Sequence, residues 1–323
     1  MDKKKDKEKV IAEITAALVK ELRELTGAGM MDCKKALAAV EADMDKAVDF
    51  LREKGLAGAQ KKAGRIAAEG VVDTKISDDG KDAVIVEVNA ETDFVAKNEK
   101  FRDYVKEVAH QALTTVSGGI DAFLEEPWAK DASLTVAQKL SSMIAIIGEN
   151  MHIRRFEKVN ANDGFVESYI HAGGKIGVLL QVASNVDNAA LHEMARNICM
   201  QVAALKPLYT SRDEVSADYI EKEKEILMAQ IKNDPKEASK PEKVIEGMIQ
   251  GRINKELKDI VLLDQVYVKA EDGKQTVKQY VDQVSKENNA NIVIKRFVRF
   301  ETGEGLEKKS ENFAEEVAKQ MQG

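Results

Sequence analysis

A strand-like run that occurs twice, each time followed by a helical pattern, constrains the fold of this chain most strongly. Val84–Val88 is the first run, and Val178–Val182 lies 94 residues further along the chain. Short apolar runs bounded by turn residues indicate buried strands, and apolar residues at helical spacing follow both runs. The pattern predicts an α+β protein with two pseudo-repeats, each an antiparallel sheet with helices on one face.

The two copies differ in length where the strand leads into the helix. With Val88 aligned to Val182 and Gln111 to Gln201, the intervening segments contain 22 and 18 residues. The region of the first copy that is four residues longer holds Thr92, Asp93, Phe94 and Val95. Packing common to both copies does not require this insertion, so a binding loop at a strand-to-helix corner is one interpretation. The alternative is that Phe94 fills the core of its own copy.

The N-terminal part predicts a small bundle of three helices. Gly27 and Gly29 interrupt the first helical pattern, Asp32 is the expected cap of the second helix, and Gly55 is the expected end of the third. This places Met30 and Met31 in the first loop between helices. Methionine adapts to irregular surfaces, so an exposed pair suits a docking patch. The alternative is that one of the two seals the bundle.

The pattern along the chain predicts a modular organisation. Strands flank the turns Ser77–Gly80 and Ala172–Gly174, and two amphipathic helical stripes are separated by the proline-bounded segment Asn233–Pro241. The predicted parts are an N-terminal extension (1–10), a three-helix bundle (11–55), a linker (56–69), core subdomain 1 (70–160), core subdomain 2 (161–212 and 261–305), an inserted antiparallel helical hairpin (213–260) and a C-terminal helix (306–323).

Composition limits the classes of partner. The chain has 323 residues, 44% of them hydrophobic, and a net charge of −7, which does not favour nucleic acid as a direct partner. No apolar run approaches the roughly 20 residues that span a bilayer, so we expect no membrane partner. Cys33 and Cys199 show no zinc or disulfide spacing. We therefore expect a cytoplasmic protein without a metal or other cofactor.

No recognised catalytic motif is present in the sequence. A phosphate-binding glycine loop, a helical pair of metal-binding histidines and a Gly-x-Ser-x-Gly elbow are all missing. His171 lies beside the second hairpin turn, where a contact role and a passive role are equally consistent with the pattern. An acid–base enzyme that uses Glu91 or Asp93 with His171 remains an alternative, but we favour a binding protein.

Several long motifs, in the same order along the chain, resemble the bacterial elongation factor Ts family. They are Ile14–Arg23, Thr26–Leu37, Thr92–Lys97, His171 with Lys175–Leu179, and Arg299–Glu307. The resemblance extends from about Ile11 to the end of the chain. Ala90 departs from the family pattern, which usually has cysteine there, and this exchange of one small residue for another should leave the corner intact.

The resemblance implies a guanine-nucleotide exchange factor that promotes GDP release from elongation factor Tu. In the family, the residues matching Asp93 and Phe94 insert beside the nucleotide and magnesium site, and the one matching His171 contacts the GTPase domain nearby. The remaining partner-contact residues that we predict are Gly174, Val19, Met30 and Met31. A competing interpretation is a ubiquitin-associated adaptor or a holdase that binds partners without exchange activity.

Overall fold

The computed structural model describes residues 14–307. The predicted N-terminal extension and most of the predicted C-terminal helix lie outside this range. The described strands are β1 (Glu69–Ile76), β2 (Asp82–Ala90), β3 (Pro127–Trp128), β4 (Asp131–Thr135), β5 (Met151–Asn160), β6 (Gly164–His171), β7 (Ile176–Ser184) and β8 (Ile292–Glu301). The described α-helices are α1 (Ala16–Thr26), α2 (Met30–Ala39), α3 (Met44–Lys62), α4 (Asp93–Ala96), α5 (Glu99–Thr114), α6 (Ile120–Glu125), α7 (Val136–Ile147), α8 (Ala189–Leu205), α9 (Ala217–Asn233), α10 (Pro235–Ala238), α11 (Glu242–Ile260) and α12 (Val277–Glu287).

The chain has the predicted α+β fold, and its two larger sheets repeat one plan. One sheet has the strand order β1-β2-β5 and the other β6-β7-β8, with antiparallel neighbours in both. The pairing is irregular at the same place in each copy, between Glu87 and Val88 and between Gln181 and Val182. The strand-and-hairpin pattern read from the sequence is therefore confirmed.

Buried glutamines confirm the alignment of the two copies. The Gln111 side chain donates one hydrogen bond to a backbone carbonyl and accepts another from the backbone N–H of the residue two positions after that carbonyl. Gln201 makes the same pair of bonds in the second copy. The backbone partners are Pro127 and Ala129 for the first glutamine, and Val266 and Val268 for the second. The difference in length between the copies is thus a real structural difference.

The sheets pack against each other, with helices on their outer faces. On β2, Val84, Val86 and Val88 join the cluster that contains α5. The alternate residues Ala83 and Ile85 join a cluster with β6, β7 and β8. Successive side chains of a strand point to opposite faces, so β2 is buried on both sides, which explains the unbroken apolar run of residues 83–86.

The N-terminal helices correct two expectations about the bundle. Helix α2 begins at Met30 with Gly29 as its N-cap, so the methionine pair lies in the first turn of a helix and Asp32 is not the cap. Helix α3 continues past Gly55 to Lys62, through the first half of the predicted linker. A Cβ added at Gly55 would lie 3.8 Å from the Ala145 Cβ on α7, so a small residue here permits close packing between the two helices.

The predicted helical hairpin is present, but some other helices and strands were not predicted. Helices α9 and α11 flank the proline-bounded segment and share an apolar cluster. Helix α12 was missed although Thr276 and Gln279 form a capping box at its start. The two-residue strand β3 is too short to give a periodic signal. No helix among residues 14–307 is both long enough and apolar enough to cross a membrane.

Candidate functional site

The four additional residues of the first copy form the short helix α4. In the first copy, α4 lies between β2 and Asn98, the N-cap of α5. In the second copy, Asn188 caps α8 only four residues after β7 ends. The length difference predicted at this corner is therefore one helical turn, inserted between two otherwise equivalent elements.

The short helix has a buried face and an exposed face. Val95 and Ala96 are buried in the apolar cluster of the first sheet. The Phe94 side chain is 80% exposed. The alternative in which Phe94 fills its own core is therefore wrong. Binding residues are concentrated on connecting segments that rigid elements hold in place, and this corner is such a segment.

Asp93 projects from the same turn and is paired with Lys97. The Lys97 ammonium donates a hydrogen bond of 2.6 Å to the carboxylate across one helical turn. This bond, with a smaller contribution from Lys175, holds the pKa of Asp93 below its usual value. Both partners are exposed, so the pair contributes little to stability. The pair fixes the position of the carboxylate beside Phe94.

A set of reciprocal hydrogen bonds holds the base of the turn, and we call it the corner clamp. The Glu149 carboxylate accepts from the backbone N–H of Thr92 at 3.0 Å. In the other direction, the Glu91 carboxylate accepts from the backbone N–H of Asn150 at 2.6 Å. Arg65 donates to the same Glu91 oxygen at 3.3 Å. Sequence reasoning missed Glu149 and Asn150, whose position beside the corner follows only from the pairing of β2 with β5.

The corner of the first copy lies beside the β6–β7 turn of the second. The Arg102 guanidinium donates a hydrogen bond of 2.8 Å to the Gly173 carbonyl, which joins α5 to that turn. A pocket of about 330 Å³ lies between them. Its lining is Glu69, Gly70, Asp93, Ala96, Lys97, Arg102, Ala172, Gly173 and Lys175. Two regions singled out in the sequence are thus brought to one place.

His171 ends strand β6 at this turn and is exposed. The Tyr169 hydroxyl lies 2.9 Å from its Nδ1 atom, and the centroids of the two rings are 5.9 Å apart. This contact restricts the orientation of the imidazole and leaves Nε2 as the ring nitrogen that Tyr169 does not engage. His171 is therefore an exposed side chain at the turn, held on one side by Tyr169.

Gly174, which was predicted as a partner contact, is buried. Its carbonyl accepts hydrogen bonds from the Val72 N–H at 2.8 Å and the Thr302 hydroxyl at 3.0 Å. A Cβ at this position would lie 2.7 Å from the Val71 Cγ1 atom. Gly174 therefore joins the two sheets and offers little surface to a partner.

We expect Gly174→Ala to lower the free energy of unfolding by about 2–4 kcal/mol, from left-handed backbone strain and overpacking together. The φ angle of Gly174 is +99°, and the added methyl group would press on Val71. Gly80→Ala is the matched control, since its φ angle is +73° and nothing lies within 4 Å of an added Cβ. It should cost about 1–2 kcal/mol from backbone strain alone. Urea unfolding of both variants checks this, and equal losses would contradict the role given to Gly174.

The bundle presents an exposed apolar group at the junction of α1 and α2, which we call the bundle patch. It consists of Leu25, Met30 and Met31, and all three side chains are more than half exposed. The alternative in which a methionine seals the bundle is therefore wrong. Leu25 has the helical spacing of the apolar residues of α1, yet its side chain is 66% exposed. Val19, which was predicted as a partner contact, is only 8% exposed and packs inside the bundle.

The described residues show no cluster of metal ligands, and both cysteines are buried. Within 14–307, no group of three or more histidine, cysteine, aspartate or glutamate side chains is arranged to hold a metal ion. Cys33 and Cys199 are buried free thiols, and burial raises the pKa of both. A thiol with a raised pKa is a poor nucleophile at neutral pH.

The fold and the site define an α+β protein made of two similar halves, one of which carries an additional turn with an exposed aromatic side chain. Comparison with known proteins identifies the group. A family model described as Elongation factor TS matches residues 91–304. Proteins named Elongation factor Ts from Clostridium botulinum (strain Eklund 17B / Type B) and Clostridium perfringens (strain SM101 / Type A) are each 51% identical to this chain, over 308 and 306 residues. The alignments cover 95% of this chain and 99% and 98% of those relatives. The chain belongs to the elongation factor Ts family.

Proposed function

We propose that this protein is a guanine-nucleotide exchange factor that accelerates GDP release from elongation factor Tu. Family membership supports the partner and the activity. The observation that carries the mechanism is the exposed Phe94 on a turn that only the first copy has. In this proposal the Asp93–Phe94 turn enters the partner beside its nucleotide and magnesium site.

Exchange of this kind requires no chemical step and no cofactor. The factor binds the nucleotide-free partner more tightly than the loaded one, and by linkage it weakens GDP binding by the same factor. A thousandfold weakening corresponds to about 4 kcal/mol. Burial of a phenylalanine side chain contributes about 1.5–3 kcal/mol, and a charge beside a magnesium site adds to it. A single aromatic wedge with a neighbouring carboxylate is therefore of the right size.

The proposal assigns docking and exchange to separate surfaces. The bundle patch provides apolar contact area that does not depend on the corner. His171 extends the corner surface across the β6–β7 turn, and the Arg102–Gly173 hydrogen bond holds the two together. No nucleic acid or membrane contact is part of the proposal.

Release of a fluorescent GDP from purified elongation factor Tu tests the proposal. The measurement is made in excess unlabelled GDP and magnesium, with increasing concentrations of this protein. Acceleration that rises with concentration and saturates would support exchange activity. Binding without acceleration would favour the adaptor or holdase interpretation, and absence of both would refute the assignment of the partner.

The double variant Met30→Gln/Met31→Gln should weaken binding to nucleotide-free elongation factor Tu by about tenfold, or about 1.4 kcal/mol. The reason is the loss of two exposed apolar side chains from the bundle patch. The GDP release rate at saturating factor should be unchanged, because the corner is intact. Titration calorimetry measures the affinity, and Val116→Gln, which changes an exposed apolar residue elsewhere, is the control. Equal weakening by both variants would contradict a docking role for the patch.

A further inference from the structure

We propose that Glu149 is a positioning residue for the additional turn that forms α4. Its carboxylate holds Thr92, and through Thr92 it fixes the orientation in which α4 presents Asp93 and Phe94. The consequence for GDP release rests on the proposed function. The positioning itself is a property of the free protein and can be tested without a partner.

The Glu149 carboxylate engages one residue with both of its oxygens. Oε2 accepts from the Thr92 backbone N–H at 3.0 Å, and Oε1 accepts from the Thr92 hydroxyl at 2.7 Å. Hydrogen bonds to an ionised group are stronger than neutral ones, and the paired geometry restricts rotation of the threonine side chain. Glu149 therefore fixes both the backbone and the rotamer of Thr92.

Thr92 transmits this constraint to the helix because it is the N-cap of α4. Its Oγ atom accepts from the Val95 N–H at 3.3 Å. A threonine hydroxyl has one proton and two lone pairs, so donation to Glu149 leaves the lone pairs for Val95. The carboxylate, the hydroxyl and the amide form a chain of hydrogen bonds that polarise one another. The bond from the Thr92 hydroxyl to Glu149 therefore sets the orientation of the lone pairs that accept from the Val95 N–H.

A helix of this length depends on such external support. Helix α4 contains only four residues, and helices this short are not stable by themselves. Burial of Val95 and Ala96 holds it against the core. Apolar contacts are non-directional, so they do not by themselves fix how the turn is rotated. The capped end supplies the direction in which Phe94 projects.

The second copy provides an internal comparison. Ala90 pairs with Met151 in the first sheet, and Ser184 pairs with Ile292 in the second. Counting outward from these pairs, Asn185 and Asn291 correspond to Glu91 and Asn150. The Asn291 N–H donates to the Asn185 side chain at 2.7 Å, so this half of the corner clamp is present in both copies.

The other half of the clamp is present only in the copy that carries the turn. The position of Glu149 is occupied by Ala290 in the second copy, and the position of Thr92 by Val186. The Val186 N–H donates instead to Ser184 Oγ within its own loop, at 3.1 Å. Closing the end of a sheet therefore does not require the Glu149 contact. The contact accompanies the additional turn.

The test compares Glu149→Ala, Glu149→Gln and Thr92→Val with the control Asn185→Ala, which removes from the second copy the contact that corresponds to Glu91–Asn150. In the free protein, hydrogen exchange of the amides in 92–98 should become about tenfold faster in Glu149→Ala, as expected for loss of about 1.4 kcal/mol of local stability. Glu149→Gln keeps one acceptor oxygen, so its exchange rates should lie between those of the unmodified protein and those of Glu149→Ala. Adding Thr92→Val to Glu149→Ala should speed exchange by a smaller factor than Thr92→Val does alone, because the Thr92–Glu149 bonds are already lost and only the cap to the Val95 N–H remains to be removed.

In the GDP release assay, Glu149→Ala should lower the rate at saturating factor by about tenfold. Its affinity for nucleotide-free elongation factor Tu should remain, since the bundle patch is untouched. Asn185→Ala should leave exchange in 92–98 and the release rate unchanged. Unaltered protection of 92–98 in Glu149→Ala, or an equal loss of protection across the first sheet, would overturn the positioning role. If the unmodified protein fails to accelerate release, the proposed function falls, and the hydrogen-exchange result alone decides the inference.

Discussion

Replacing Phe94 by alanine is expected to lower the rate of GDP release at saturating factor by about tenfold to a hundredfold. Loss of the burial of one phenylalanine side chain, about 1.5–3 kcal/mol, corresponds to such a factor. The loss should be in the maximal rate, because the bundle patch and the second copy continue to hold the partner. Stability of the free protein should not change, since the side chain is 80% exposed.

Stopped-flow release of fluorescent GDP over a range of factor concentrations separates the two effects. Val116→Ala is the matched control because it also truncates an exposed apolar side chain, one that is 99% exposed and outside the corner. It should behave like the unmodified protein. If Phe94→Ala weakened binding in proportion to the loss of exchange, the side chain would be an ordinary docking contact and the wedge mechanism would be refuted.

Glu87→Ala is expected to lower the free energy of unfolding by about 3–5 kcal/mol, the cost typical of breaking a buried ion pair. Glu87 is completely buried and accepts from Arg154 at 3.0 Å and from Arg155 at 2.6 Å. It also accepts from the Asn89 amide at 3.0 Å and from the Gly303 N–H at 2.8 Å. Removal of this carboxylate leaves two guanidinium groups and a buried amide N–H without their acceptor.

Urea unfolding followed by circular dichroism measures the effect. Glu157→Ala is the control, because Glu157 forms an exposed ion pair with Arg296 at 3.1 Å. Exposed pairs contribute about 0–1 kcal/mol, so the control should be nearly neutral. A similar small loss in both variants would show that the buried carboxylate is not what joins β2, β5 and the segment after β8.

The sequence was most informative where local pattern and repetition coincide. The two β-hairpins and the helical hairpin follow from short-range chemistry, and all are present. The four-residue difference could be seen by comparing the two copies, although the exposure of Phe94 could not. Whether an aromatic side chain at a corner points inward depends on which neighbouring residues fill the core, and here Val95 and Ala96 do so.

Features that depend on distant segments were out of reach. Helix α3 extends to Lys62 because α7, far along the chain, packs against it near Gly55. The sequence pattern identifies Gly174 as a turn residue but is the same whether the turn faces a partner or the other sheet. Glu149 carries no motif and becomes informative only when β5 is placed beside β2.

The additional turn also decides how a partner can approach. A molecule with two similar halves presents two similar faces, and a partner that recognised their common features would have two ways of binding. Helix α4 and the Thr92–Glu149 contact exist in one half only. Any partner that needs this turn can therefore bind the molecule in only one of the two orientations. The four residues of α4 thus make the two similar halves distinguishable to a partner.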